Sequence, residues 1–209
     1  MRKNFDTILA IGAHPDDIEF SCLGFLLSQK KKGSQIHSLV LTSGENGNNG
    51  DGNARREEQE KAFNCACFDS LSFGPFRDGE IAFNSHTISF VENLINKVKP
   101  DLVLTHFPND WHQDHTNTAN AVRAACRNVP KLWYFRSYSA VDFSPMIYSD
   151  ISDEIVQKEN ILDLFQTQIE KNLKKGIDFK QIALDTNRYF GNDVGVKFAE
   201  AFSIYRYLL

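Results

Sequence analysis

The sequence predicts a doubly wound α/β domain with a mostly parallel sheet. Short apolar runs at 7–12, 36–42 and 102–105 alternate with longer segments of helical periodicity. Clusters of His and Asp directly follow two of those runs, where open α/β sheets put their ligand sites. The 209 residues can bury one full core and show no repeat or linker-like stretch. Residues 1–209 are therefore read as a single Rossmann-like domain.

In order along the chain, residues 7–12 read as a buried strand ended by Gly12. Residues 16–32 read as a helix, with Ile18, Cys22, Phe25 and Leu26 on one face and Gly33 as its stop. Residues 36–42, rich in Val, Leu and Ile, form the second strand. It opens into residues 43–53, where four glycines and four asparagines predict a mobile loop. A charged helix over 54–67 and a strand over 70–76 follow. The amphipathic stretch 85–98 is a helix that ends at Lys99-Pro100. Residues 102–105 are the next strand, 116–127 the next helix and 131–138 a β-rich segment. Residues 153–175 read as one long helix, with Ile155, Ile161, Leu162, Phe165 and Ile169 as its apolar members. Residues 191–209 close the chain.

The formal net charge of −4 and the pI near 5.9 argue against nucleic acid as a partner. Lys30-Lys31-Lys32 is a short basic run that fits a solvated helix end. No apolar stretch reaches the length that spans a bilayer, and the N-terminus carries no signal-peptide core. A cytoplasmic protein is expected. Cys22, Cys65, Cys67 and Cys126 show no C-x-x-C spacing and are expected to be reduced and mostly buried. No G-x-G-x-x-G follows the first strand, which disfavours a dinucleotide oxidoreductase.

Two clusters carry the chemistry. In Ala13-His14-Pro15-Asp16-Asp17, Pro15 biases His14 toward an extended conformation, so the imidazole stays at the strand end. Asp16 and Asp17 then stand at a helix N-terminus, where backbone N–H groups favour negative charge. That run alone reads equally well as an ordinary helix cap. The second cluster, His112-Gln113-Asp114-His115, changes the balance. His112 and His115 are three residues apart and can share one side of a first helical turn. Asp114 cannot face the same way, which suits a carboxylate that orients an imidazole. Two imidazoles and a carboxylate for a divalent metal, with further acid–base groups beside them, describe an open catalytic zinc site rather than a closed structural one. His106 is read as a packed or hydrogen-bonded core histidine, and His37 and His86 as structural or surface groups.

These clusters resemble the signatures of the PIG-L/LmbE family of zinc-dependent de-N-acetylases, AHPDD near the N-terminus and HxDH much further along. Weaker matches accompany them in order. Thr42-Ser43-Gly44-Glu45 resembles the family's TxGE turn, and Arg55-Arg56-Glu57-Glu58 with Ala62 resembles its RxxE helix. Lys99-Pro100-Asp101-Leu102-Val103 resembles its KPDLV strand entry, and Phe198-Ala199-Glu200-Ala201-Phe202 its YAEAF closing motif. The resemblance implies that His14, Asp17 and His115 bind zinc and leave room for water and substrate. It implies that Asp16 is the general base, that His112 stabilises the oxyanion or protonates the leaving amine, and that Asp114 orients His112. Arg55, or the adjacent Arg56, would contact the sugar; a solvated helix face with partners such as Glu60 is the competing reading. Trp111 either stacks on a sugar face or simply packs. Arg136 is a further candidate cation for the pocket. Where some relatives carry a tyrosine that assists at the oxyanion, this chain has Asp110. The loop over 44–53 would border the pocket and close over substrate.

The implied reaction removes the N-acetyl group from a small-molecule N-acetylated amino sugar, a GlcNAc-type glycoside or nucleotide sugar. A free carboxylate with a pKa of about 4 is a weak base, so Asp16 needs a metal that brings water to a pKa of about 7. A set of two His and one carboxylate also suits Fe(II). The competing functions are hydrolysis of another sugar-linked amide and a catalytically silent sugar- or nucleotide-binding module on the same fold. A lipid-linked sugar ranks lower, since no amphipathic membrane helix is evident. Because relatives often self-assemble, the resemblance also implies a homo-oligomer.

Overall fold

The computed structural model describes residues 5–48 and 51–208. The middle of its five parallel strands is β1 (Thr7–Gly12). Successive residues of β1 serve opposite faces: Ile8 and Ala10 pack in one apolar layer, Leu9 and Ile11 in the other. β2 (Gln35–Thr42) and β4 (Leu102–His106) flank it, both parallel. β3 (Ser70–Phe76) and β5 (Lys131–Phe135) extend the sheet outward, again parallel. β7 (Ala199–Tyr207) pairs antiparallel with β5, and β6 (Ile147–Asp150) antiparallel with β7. The order is β3-β2-β1-β4-β5-β7-β6. The winding reverses between β1 and β4, and this switch point opens a crevice at the carboxyl ends of both strands.

One face of the sheet is covered by α1 (Asp17–Lys31), α2 (Gly52–Ala66) and α5 (Ile155–Leu162), through Ile18, Leu23, Leu26, Ala62 and Ile161. The other is covered by α3 (Ser85–Val98) and α4 (Gln113–Ala125), through Val91, Ile95, Val122 and Ala125. α1 is kinked. Cys22 adopts φ −143° and ψ 16°, which interrupts the hydrogen-bond ladder. The N–H groups of Gly24 and Phe25, which open the second half, donate to the two carboxylate oxygens of Glu200 on β7 at 2.9 and 2.6 Å. Lys158 of α5 donates to the same carboxylate at 2.7 Å and to the Phe20 carbonyl at 3.1 Å. Both charged side chains are fully buried. A Cβ at position 24 would stand 2.8 Å from the Ile151 side chain, so this approach requires glycine.

Several expectations are corrected. The helix expected over 116–127 already begins at Gln113, because His112 caps it by accepting the Asp114 N–H on Nδ1 at 3.3 Å. The helix expected over 153–175 is two, α5 and α6 (Gln166–Leu173). The turn between them lets Phe165 enter the core beside Phe20. The β-rich 131–138 ends as strand at Phe135, where the chain turns to bring Ser137 and Ser139 against Asp110. β6 and α7 (Phe179–Val194) carry too weak a pattern to be read from sequence, since the buried residues of α7 are Asn187, Phe190 and Gly191.

Within the expected loop, Glu45–Asn48 form a 3-10 turn and Gly52 begins α2; Asn49 and Gly50 lie outside the described residues. Cys22 and Cys126 are buried, but Cys65 and Cys67 are exposed, and all four are free thiols. Among the described residues no helix is long and apolar enough to cross a membrane.

Candidate active site

A cavity of about 520 Å³ opens at the carboxyl edge of the sheet. His14, Asp16 and Asp17 line it from the end of β1, Asp78 from the turn after β3, and His112 and His115 from the start of α4. Asp16 adopts a left-handed backbone, φ 99°, a conformation Asp tolerates better than most residues. That twist sends the two adjacent carboxylates to different partners, and neither acts as an ordinary helix cap. The Asp16 side chain makes no capping bond, and Asp17 Oδ2 accepts the His14 N–H at 2.7 Å.

Asp17 lies among three imidazoles. His14 Nδ1 and His106 Nε2 are 3.5 and 3.1 Å from its Oδ2, and His115 Nε2 is 3.3 Å from its Oδ1. Two of these rings rest their other nitrogen on a carboxylate behind them. His14 Nε2 meets Asp78 at 3.1 Å and Asp114 at 3.2 Å. His115 Nδ1 meets Asp110 at 3.0 Å. Asp110 is itself fixed by the Ser137 hydroxyl, by Ser139 at 2.6 Å and by the His112 N–H at 2.7 Å.

Burial opposes a charge on His14, but its bonds to Asp114, Asp17 and Asp78 outweigh it and raise the pKa well above the ordinary value. His115, also against burial, is raised to about 9 by Asp17 and Asp110. Burial would push Asp17 up, yet His115 and His106 hold it well below the usual carboxylate range. Burial and the neighbouring His115 press His106 down to about 4. Burial lifts Asp16 to about 6 against the pull of the Arg55 guanidinium.

The residues fit a divalent cation. Among the described residues, His14, His112 and His115 bring one ligand atom each within 4.8 Å of one another, as do Asp17, His106 and His115, and also His14, Asp78 and Asp114. Imidazole nitrogens and carboxylate oxygens are the donors that zinc and iron(II) take. The cluster draws protons onto His14 and His115, and a dication supplies positive charge to the same field.

The remaining expected residues separate. Asp114 does not orient the His112 ring with its carboxylate. That carboxylate is fully buried against His14 and the Gly79 N–H, the latter at 2.7 Å, because the first turn of α4 rotates it inward. Arg55 lines the cavity, but its guanidinium is engaged with Asp16 at 3.0 Å, the Pro15 carbonyl at 2.6 Å and the Gly44 carbonyl at 2.9 Å. Arg56, one residue further round α2, lies over the Phe73 ring and does not line the cavity. Trp111 is 86% exposed and likewise does not line it. Arg136 does. His106 is a fully buried, hydrogen-bonded histidine that stacks on His115 with ring centroids 4.0 Å apart. In the turn at 45–48, the Asn46 and Gly47 N–H groups donate to Asp78, and Lys171 donates to the Gly47 carbonyl at 2.7 Å.

Residues 9–126 match the model of the PIG-L family, described as GlcNAc-PI de-N-acetylase. The chain belongs to the PIG-L family. It is similar to the uncharacterized deacetylase YaiS of Escherichia coli (strain K12), with 33% identity over 155 residues, covering 70% of this chain and 83% of that protein. A Bacillus subtilis (strain 168) protein named a probable N-acetyl-alpha-D-glucosaminyl L-malate deacetylase 2 is 28% identical over 189 residues, 80% of this chain and 86% of its own. Among solved structures, the conserved protein TT1542 from Thermus thermophilus superimposes with a TM-score of 0.86 at 26% identity, over 98% of this chain and 96% of that one.

The PIG-L match spans both clusters and two further carboxylates: Asp78, which motif reading missed, and Asp110, which it noted but gave no role. Asp78 sits in the turn after β3, at the same sheet edge as the clusters, and the Asp-Gly pair at 78–79 marks such a turn. Asp110 stands where some relatives carry a tyrosine, and its link to His115 spans a bend no local spacing encodes. Asp110→Asn is expected to weaken metal binding by about 10- to 100-fold, as losing the carboxylate behind a ligand imidazole does elsewhere. Metal affinity measured with a competing chelator checks this; an unchanged affinity refutes it.

Proposed function

We propose that this PIG-L-family chain is a metal-dependent hydrolase that removes the N-acetyl group from an N-acetylated amino sugar of the GlcNAc type. His14, Asp17 and His115 would hold a zinc or iron(II) ion. One observation carries this reading. The nitrogens of His14 and His115 opposite their carboxylate partners both turn toward Asp17, the arrangement that metal-binding imidazoles adopt. When bound, the cation would bring water to a pKa near 7 and polarise the acetyl carbonyl.

Asp16 takes the proton of the attacking water. It lines the cavity, Arg55 holds its carboxylate in place, and burial lifts it toward neutrality, where it can also return that proton to the departing amine nitrogen. His112 acts as a neutral donor. Burial, then His115 and His14, lower its pKa, and its Nδ1 accepts the Asp114 N–H, so the proton resides on Nε2. From there it donates to the carbonyl oxygen as negative charge develops. Asp114 and Asp78 back His14, and Arg55 positions Asp16 instead of contacting sugar. The GlcNAc-type substrate is supported by the family's description and by the name of the B. subtilis relative.

The test is release of primary amine and acetate from a panel of free, glycosidic and phosphorylated N-acetylhexosamines. Turnover should disappear on chelation and return with zinc or iron(II). Amine release from no member of the panel by the metal-loaded protein would overturn the reading.

A further inference from the structure

Asp16 stands in a conformation that its own side chain does not hold. Its φ of 99° comes with a ψ of −28°, far from the ψ of about +47° of a regular left-handed residue. A non-glycine residue keeps such a backbone only where its surroundings fix it. Here one face of α2 does so. Arg55 donates to the Pro15 carbonyl at 2.6 Å and to the Asp16 carboxylate at 3.0 Å. Gln59, one helical turn further along, accepts the Asp16 N–H on Oε1 at 3.0 Å. With Oε1 so engaged, the Gln59 amide turns its Nε2 to Glu19 of α1 and donates to the carboxyl there at 2.6 Å. Both side chains are buried, Gln59 completely. Among the described residues Glu19 has no Lys, Arg or His partner, and its side-chain hydrogen bond is to Gln59. A buried carboxyl is unfavourable unless hydrogen-bonded, and this one is placed so that its bond fixes which way the Gln59 amide faces.

We propose that Gln59, oriented by Glu19, is a positioning residue that holds the Asp16 backbone in the turn aiming its carboxylate into the cavity and away from Asp17. The inference rests on the reading of Asp16 as the proton acceptor of a de-N-acetylase. Without the Gln59 acceptor, no side chain among the described residues holds the Asp16 N–H, and the peptide relaxes toward an ordinary helix start. The carboxylate then leaves the place where it meets the attacking water, and a displacement of about 1 Å can cost about 100-fold in rate. Asp17 is anchored separately, by the His14 N–H and by the imidazoles of His106 and His115, so the proposed metal ligands stay in place. A side chain that merely joined α2 to α1 would not separate turnover from metal binding in this way.

The experiment uses Gln59→Met in the metal-loaded full chain, a substitution that keeps the side-chain length and removes both bonds. Its kcat for amine release is expected to fall roughly 10- to 100-fold, with KM within about 3-fold and metal content unchanged. In an Asp16→Asn background the same substitution is expected to lower turnover by less than about 3-fold, because it acts through Asp16. Glu19→Gln keeps an acceptor for the Gln59 amide and is expected to rescue turnover that Glu19→Met loses. Hydrogen exchange at the Asp16 amide, followed by NMR, is expected to quicken about 10-fold or more in Gln59→Met, independently of any substrate. If Gln59→Met does not fold, the double variant Glu19→Met, Gln59→Met removes both buried polar partners together and carries the same expectations. An unchanged kcat, a full loss repeated in the Asp16→Asn background, loss of metal, equal losses in the two Glu19 variants, or an Asp16 amide that stays protected would each overturn the proposal. Absence of amine release from the wild type instead strikes the deacetylase reading, and exchange at the Asp16 amide then decides by itself whether Gln59 holds that backbone.

Discussion

Asp17→Ala is expected to purify without metal, while Asp16→Asn keeps its metal and loses about 10²- to 10⁴-fold in turnover. The two carboxylates are adjacent in sequence but face different partners, because the left-handed backbone at Asp16 turns them apart. Asp17 sits among His14, His106 and His115, so its removal takes an anionic donor from the centre of the cluster. Asp16 contacts Arg55 and lines the cavity, so replacing it by the isosteric amide leaves the imidazoles alone and deletes a proton acceptor. Metal content by mass spectrometry beside amine release separates the two roles. Metal retained in Asp17→Ala and lost in Asp16→Asn would invert the assignment.

The second large effect lies away from the cavity. Lys158→Met or Glu200→Gln is expected to cost about 3–5 kcal/mol of stability, because each leaves a partner buried without its counter-charge. Glu200 also accepts the N–H groups that the α1 kink exposes, so the carboxylate ties β7, α1 and α5 together in one place. α1 begins at Asp17 and kinks at Cys22, so the same pair steadies the turn that presents the cluster. Chemical denaturation of both single variants and the double variant measures it. The double variant should lose less than the sum of the singles, since the two charges disappear together. Single-variant losses below about 1 kcal/mol, the range of exposed pairs, would refute a structural role for this ion pair.

Much of this protein is written locally. The alternation of Ile8, Leu9, Ala10 and Ile11 between two cores, and the parallel strands followed by helices, are short-range patterns, and they determine a doubly wound sheet. The residues at 13–17 and 112–115 mark the candidate site because strand-end and helix-start positions are themselves local features. Tertiary structure alone decided which carboxylate stands behind which imidazole. It set Asp114 on His14 rather than on the His112 ring, brought Asp78 and Asp110 into the cluster, occupied Arg55 with Asp16, and left Arg56 and Trp111 outside the cavity. It also split the helix expected over 153–175, since the burial of Phe165 outweighs the periodicity of a continuous run. Periodicity and backbone preference act within a few residues and can be read along the chain. Charge partners and burial depend on segments far apart in sequence, and they exist only once the sheet has closed its core.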